Sequence, residues 1–274
     1  MPHHRHIYRF AAAALLIGPL AFAQDAPKKY KAPTVADWTA VGKLPDFTGV
    51  WEIPMGGGRA GAGRGAAPAG VPAGRGRGPA PQPQLTPEYA AKAKEMAAAA
   101  TRAEDNQTAN CLPPGLPAIM GQPYPVEVLM TPGLVTVVIE AYTQVRHIHT
   151  DGRALPDDPD PSFNGTSVGH WDGDTLVVES VGFESVPRGI NFPYSDKMKI
   201  TERFHLSDPD TLNIETTITD PLALTQPYSL GNRVFKRHRA WTIAEYVCEE
   251  NNRNFVDPSG KAGINLANPT ASPK

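Results

Sequence analysis

The chain reads as a mainly β fold: an antiparallel meander that closes into a barrel or a strongly curled sheet, with one flanking α-helix. Two observations predict it. From residue 125 onward, runs of alternating apolar and polar residues recur at short, even spacing, separated by turn signals. No helical stretch interrupts them, so the strands should join neighbour to neighbour rather than through crossovers. Closing the sheet would also remove its exposed edges.

The chain of 274 residues allows one or two domains. Its first 23 residues have the pattern of a signal peptide. MPHHRHIYRF is a basic n-region, AAAALLIGPLAFA is apolar, and Ala21-Phe22-Ala23 gives an A-x-A cleavage site before Gln24. The apolar run is too short to span a bilayer. An exported, periplasmic protein without a transmembrane segment is therefore expected. Residues 24–54 form an N-terminal segment that carries the first strand.

Residues 55–85 are a Gly/Ala/Pro/Arg-rich insertion with almost no large apolar side chain, and this composition predicts disorder. Residues 86–102 follow as a helix: Thr86 suits an N-cap, Pro87 the first helical position, and alanine dominates what comes next. The β domain spans 103–251 and forms one domain with the first strand. Its strands are VEVLM and LVTVVIEAY around Thr131-Pro132-Gly133, then RHIHT. TSVGHW and DTLVVESVGF flank Asp172-Gly173, and KMKITERFHL and TLNIETTITD flank Asp208-Pro209-Asp210. RVFKRHR and AWTIAEYVCEE close the series. Residues 252–274 lack periodicity and are expected to be coil.

Export bears on the two cysteines, Cys111 and Cys248. An oxidising compartment favours their pairing, which in the chain-entropy model is worth roughly 4–5 kcal/mol for a loop this long. Charge bears on partners. The whole chain has 26 basic and 28 acidic residues. Removing Arg5 and Arg9 of the leader and Arg59, Arg64, Arg75 and Arg77 of the insertion leaves 20 against 28, a net charge of −8 on the folded part. Such a balance argues against nucleic acid as a partner.

Two resemblances rest on short motifs. The first strand, FTGVWEI, contains Gly49-Val50-Trp51 and resembles the Gly-x-Trp strand of lipocalin-like barrels. That resemblance implies a tryptophan on the barrel floor beneath an arginine of the last strands, here Arg237 or Arg239. Separately, CLPPGLP, TPGLV, DGRALPDDPDP, GHWDGDTLVV, TERF and EYVCEEN together resemble a family of secreted soil-bacterial proteins, across roughly residues 111–251. This second resemblance implies secretion and a single fold but no chemistry. The chain departs from that family's pattern at residues 191–196, NFPYSD, where a His-rich stretch is usual, and at His147 and His149, where Arg and Tyr are usual.

Strand parity sorts the candidate site residues. His147 and His149 share a face, as metal-binding histidines would, with His170, His205 and His238 on other strands as candidates for a third ligand. Ile148 is the apolar member of their strand, however, so both histidines should face outward. No metal or other cofactor is expected. The more informative pattern is charge on apolar faces. Glu202 shares a face with Met198, Ile200, Phe204 and Leu206; Glu245 shares one with Trp241, Ile243 and Val247; Arg146 shares one with Ile148. Three charged groups are thus expected inside the barrel, where they must be paired or neutralised. Glu215, whose face holds Asn213, Thr217 and Thr219, should be solvated. The Asp-rich loop 151–165 has no calcium-site spacing and should be a solvated turn or cover one end of the barrel.

The resulting expectation is a barrel that binds a small, mostly apolar molecule in an interior cavity. Arg146, Trp51 and Trp241 are its ligand-contact candidates, alongside the inward glutamates. The alternative is a cofactor-free lyase, isomerase or hydrolase with Glu202 or Glu245 as general acid–base. A third reading, a surface protein acting through the Arg-Gly insertion, also stays open.

Overall fold

The computed structural model describes residues 32–54, 82–99, 111–184, 190–248, 254–256 and 262–264. The expected signal peptide and all of the Gly/Ala/Pro/Arg-rich insertion up to residue 81 lie outside these. The chain divides into two units, Met1–Pro33 and Thr34–Lys274, and the architecture below belongs to the second.

Nine strands close a barrel in sequence order: β1 (Gly49–Glu52), β2 (Val126–Thr131), β3 (Leu134–Ile139), β4 (Gln144–His149), β5 (Thr166–Asp172), β6 (Thr175–Val181), β7 (Lys199–Asp208), β8 (Thr211–Thr219) and β9 (Tyr228–His238). Closure is made by β1, which pairs with β2 through Trp51↔Val126 and with β9 through Trp51↔Arg237. Alternation turns one apolar face of each long strand inward, and the enclosed side chains form one buried cluster that includes Val137, Ile148, Val178, Ile200, Ile214 and Phe235. Trp51 is fully buried, donates from Nε1 to the Phe47 carbonyl at 2.8 Å, and lies 4.4 Å beneath the Arg237 guanidinium. Of the two arginines considered for that position, Arg237 occupies it.

The meander is broken once. β4 and β5 run parallel, joined only through Ile148↔Ser167 and His149↔Val168, whereas every other barrel pair is antiparallel. The connection 150–165 exceeds the dozen or so residues that a parallel crossover needs. It therefore returns to the starting end of β4 instead of turning back. Ser162 anchors it, pairing with Phe183 and donating its N–H to the Gly182 carbonyl at 3.0 Å.

Among the described residues, two α-helices accompany the barrel. α2 (Pro87–Ala99) is the expected one. Its Thr86 hydroxyl donates to the Leu222 carbonyl at 2.9 Å, and Thr86 N–H donates to Ala223 at 2.9 Å, fastening the helix start to the β8–β9 connection. The other, α1 (Val35–Val41), has a capping box: Asp37 N–H donates to Thr34 Oγ1, and Thr34 N–H donates to the Asp37 carboxylate. Two short strands in the tail, β10 (Asn254–Val256) and β11 (Ala262–Ile264), pair antiparallel where coil was expected.

The expectation for AWTIAEYVCEE fails. Residues 241–247 form no strand, because β1 already occupies the free edge of β9 and leaves no ladder to join. The segment is fastened instead by other contacts. Ala244 N–H donates to Glu140 Oε2 at 2.9 Å, the Thr143 hydroxyl donates to the Tyr246 carbonyl at 3.2 Å, and Cys248 is joined to Cys111. The disulfide is therefore as expected, although it clamps a strap beyond the last strand rather than the strand itself.

Candidate functional site

Five consecutive strands each turn one polar side chain into the apolar interior: Arg146 on β4, Ser167 on β5, Ser180 on β6, Glu202 on β7 and Thr216 on β8, all at most 2% exposed. Register makes them a stripe. Ser167 is the cross-strand partner of Ser180, and Glu202 is that of Thr216. Arg146 Nη2 is ion-paired with Glu202 Oε2 and also donates to Ser180 Oγ at 3.1 Å. Arg146 Nε donates to Ser167 Oγ at 3.3 Å, and the two serine hydroxyls are bonded to each other at 2.8 Å. Removing both charges from water costs several kcal/mol per ion, which the pairing and the two hydroxyls offset. The network is incomplete. Arg146 Nη1, Glu202 Oε1 and Thr216 Oγ1 are buried without a hydrogen-bond partner, each an expense of about 1–3 kcal/mol.

The parallel seam opens beside this stripe. Because β4 and β5 share only two residue pairs, β4 and the run 162–167 separate around a cavity of about 330 Å³. Arg146 and Ser167 line it, together with Phe163, Asn164, His147 and His149. The volume lies within the range of small-molecule sites. Glu202 is not among the lining residues; it holds Arg146 from the interior side.

Asn164 lines the same cavity. Its Nδ2 donates to Gln144 Oε1 at 3.2 Å, and Gln144 Nε2 donates to the Tyr142 carbonyl at 3.2 Å. Asn164 Oδ1 is left buried without a partner. Nearby, burial pushes the His149 imidazole below its ordinary pKa, with the charges of Arg153 and His147 acting in the same direction and Asp151 opposing. His149 is therefore neutral at neutral pH. A smaller cavity of about 250 Å³ lies between α1 and the β2–β3 turn, lined by Val41, Leu44, Met130 and Trp171 among others.

The sequence-derived candidates separate on this geometry. Arg146 and Glu202 come together inside the barrel. Glu245 does not join them: it is exposed on the strap outside the barrel. Trp241 is likewise outside, 44% exposed and stacked on His238 at 3.7 Å. Trp51 belongs to the barrel floor and does not line the cavity. His147 is exposed and His149 half-buried on the outward positions of β4, and His170 is exposed on β5. Among the described residues, no three or more of His, Cys, Asp and Glu are grouped to hold a metal ion. Glu215 is exposed, as its parity predicts.

Ser180 and Thr216 were missed although parity marks them: Ser180 shares its face with Leu176 and Val178, and Thr216 with Ile214 and Ile218. Ser167 and Asn164 had no such signal, since neither lies in a clearly alternating run. No helix among the described residues is long and apolar enough to cross a membrane. No protein-family model, no curated protein and no solved structure matches the chain.

Proposed function

We propose that this protein is an exported β-barrel that binds a small molecule in the cleft between β4 and β5, with Arg146 as its inner polar contact. One observation carries the reading. β4 and the run 162–167 part around a cavity of about 330 Å³ whose lining mixes polar Gln144, Asn164 and Ser167 with apolar Val145 and Phe163. A cavity of this size, with a few polar groups in a partly apolar wall, is the form that small-molecule sites take. Phe163 and Val145 supply apolar surface, in keeping with a mostly apolar ligand. Export is supported by the leader pattern and by the disulfide, as well as by motifs that resemble those of secreted soil-bacterial proteins.

The enzymatic alternative has less support. Glu245 is exposed, and Glu202 is engaged by Arg146 without lining the cleft. Glu202 is better read as a positioning residue that fixes the guanidinium.

Native mass spectrometry of the mature protein purified from its own host tests the proposal, with the double variant R146M/E202M purified in parallel. Extra mass in the native state that vanishes on denaturation and is missing from the folded double variant is the expected result. Equal retention by both proteins would place the ligand elsewhere and end the proposal.

A further inference from the structure

Taking the β4–β5 cleft as the binding site, we infer that its ligand is a short extended peptide, bound as an added strand on the free edge of β4. The edge calls for an acceptor, a donor and an acceptor in turn along the ligand's main chain.

Ladder geometry decides which main-chain groups of β4 turn toward the cleft. In an antiparallel pair, residues that exchange hydrogen bonds with the neighbouring strand alternate with residues whose N–H and C=O point away from it. The Thr150 N–H donates to the Gly133 carbonyl at 2.8 Å, and the β3–β4 register continues from that pair. Val135↔Ile148 and Val137↔Arg146 are therefore bonded pairs, and Val145, His147 and His149 direct their N–H and C=O toward the β5 side. The two residue pairs shared with β5 use both groups of His149 and the His147 carbonyl. The Val145 N–H, the Val145 C=O and the His147 N–H are left facing the cleft. Val145 and His147 are both exposed, and both line the cavity.

No strand fills this edge. The run 162–165 folds into a turn, with the Gly165 N–H donating to the Ser162 carbonyl at 3.4 Å, and Ser162 pairs with Phe183 instead. Among the described residues, no main-chain bond joins Val145 or His147 to this run.

The three groups lie along one strand at ladder spacing, so one extended main chain meets them all. In the direction of β5, an acyl carbonyl accepts from the Val145 N–H. Two residues on, an N–H donates to the Val145 carbonyl, and the carbonyl of that same residue accepts from the His147 N–H. The residue making these last two bonds lies opposite Arg146 and turns inward, where Arg146, Ile148 and Ser167 are buried, so glycine suits it. The residue before it turns outward beside Val145, which is 47% exposed, so an apolar side chain suits that position. Strand addition works in this way: main-chain bonds supply affinity, and alternate side chains supply selectivity.

Acetyl-valyl-glycinamide is the probe. Its control is acetyl-valyl-sarcosinamide, in which a methyl group replaces the glycine N–H. Fragments of this size bind at about millimolar strength, so amide NMR of the isotope-labelled mature protein, up to about 10 mM probe, is the suitable readout. The Val145 and His147 amide signals should move downfield, and the control should bind about fivefold or more weakly for want of one hydrogen bond. Val145→Pro removes a cleft-facing N–H without touching the β3 ladder, and Gln144, at φ −88° and ψ 141°, already has the extended conformation that precedes proline. This variant should keep the barrel, as judged by circular dichroism, and lose the probe. The sarcosine control alters no residue of the protein, so it decides the matter even if Val145→Pro does not fold. Equal binding of probe and control, undiminished binding by folded Val145→Pro, or no binding at about 10 mM would overturn the inference. The cleft reading fails separately, when R146M/E202M retains the native ligand as fully as the parent does.

Discussion

Arg146→Met should be among the most damaging substitutions in this chain, and Arg146→Met with Glu202→Met together among the mildest for two buried charged positions. The guanidinium is 1% exposed and the carboxylate fully buried, so neither charge reaches water if its partner is lost. Removing one member of such a pair costs about 3–5 kcal/mol, against a typical total stability of about 5–15 kcal/mol. Glu202→Met should fall toward the lower end, because Arg146 keeps the Ser167 and Ser180 hydroxyls. Removing both charges is different. The serines still satisfy each other across 2.8 Å, and two methionines of suitable volume continue the apolar cluster around Ile148, Ile200 and Phe204. The double variant should lie within about 2 kcal/mol of the parent, giving a coupling of about 3 kcal/mol or more. Urea unfolding with the disulfide intact, followed by tryptophan fluorescence and circular dichroism, measures all four corners of the cycle. Single variants within about 1 kcal/mol of the parent, or a double variant as unstable as the sum of the singles, would refute the reasoning.

Four further outcomes follow from other parts of the fold. Cys248→Ser should lower stability by up to about 5 kcal/mol in the chain-entropy model, since the disulfide spans 137 residues, and should expose the strap 241–248 to proteolysis before the barrel yields. Arg237→Met keeps the aliphatic stem but removes the cation over Trp51 and the bond to Asp46 Oδ2 at 3.1 Å, so the melting transition should reflect a loss of about 1–3 kcal/mol. Gly165→Ala should cost at least about 2 kcal/mol and weaken ligand binding, because φ is +64° and the new Cβ would meet the Val181 carbonyl oxygen at 2.5 Å on the cleft wall; Gly173→Ala, in an open turn, should cost less. The Tyr246 phenol is pushed up to about 12, first by burial and then by Tyr142 and Tyr124, so the folded state holds its proton more tightly than the unfolded chain. Its contribution to stability is full below the ordinary tyrosine pKa of about 10 and is lost as pH rises toward 12, and an absorbance titration compared with Tyr246→Phe should show the late-titrating phenol missing.

Much of the barrel was legible because its signal is a period of two that water enforces. Wherever one strand face is buried, as in LVTVVI or KITERF, the alternation fixes both the strand and the side on which Arg146 and Glu202 must lie. The same rule misread residues 241–247. Trp241, Ile243, Glu245 and Val247 alternate convincingly, but a strand needs an unpaired neighbour, and pattern alone does not reveal that β1 has taken the place beside β9. Alternation reports what a segment could form; closure of the ladder decides whether it does. α1 was overlooked for the opposite reason: its side chains are not buried, so its origin lies in the Thr34–Asp37 capping box rather than in a hydrophobic stripe.

The cleft depends on the one connection whose topology the sequence did not disclose. Had 150–165 turned back as a hairpin, β5 would have paired along the whole of β4, and the wall beside Arg146 would have been sealed by ladder hydrogen bonds. The crossover starts β5 two residue pairs from the end of β4, so Gln144, Arg146 and His147 face the run 162–166 instead of a strand. That run supplies Asn164, which no alternation could have marked, and the Gly165 backbone at φ +64° turns the chain into β5 at the rim of the cavity. Arg146 was predictable as an inward charge, but its role as a wall residue arises only from this local failure of pairing. The charge pair and the gap serve different ends: Glu202 fixes and neutralises the guanidinium in the interior, and the unpaired part of the seam leaves room for a cleft beside β4. A barrel with the same inward residues and a continuous β4–β5 ladder would keep the coupling energy measured by the double-variant cycle and lose the cleft.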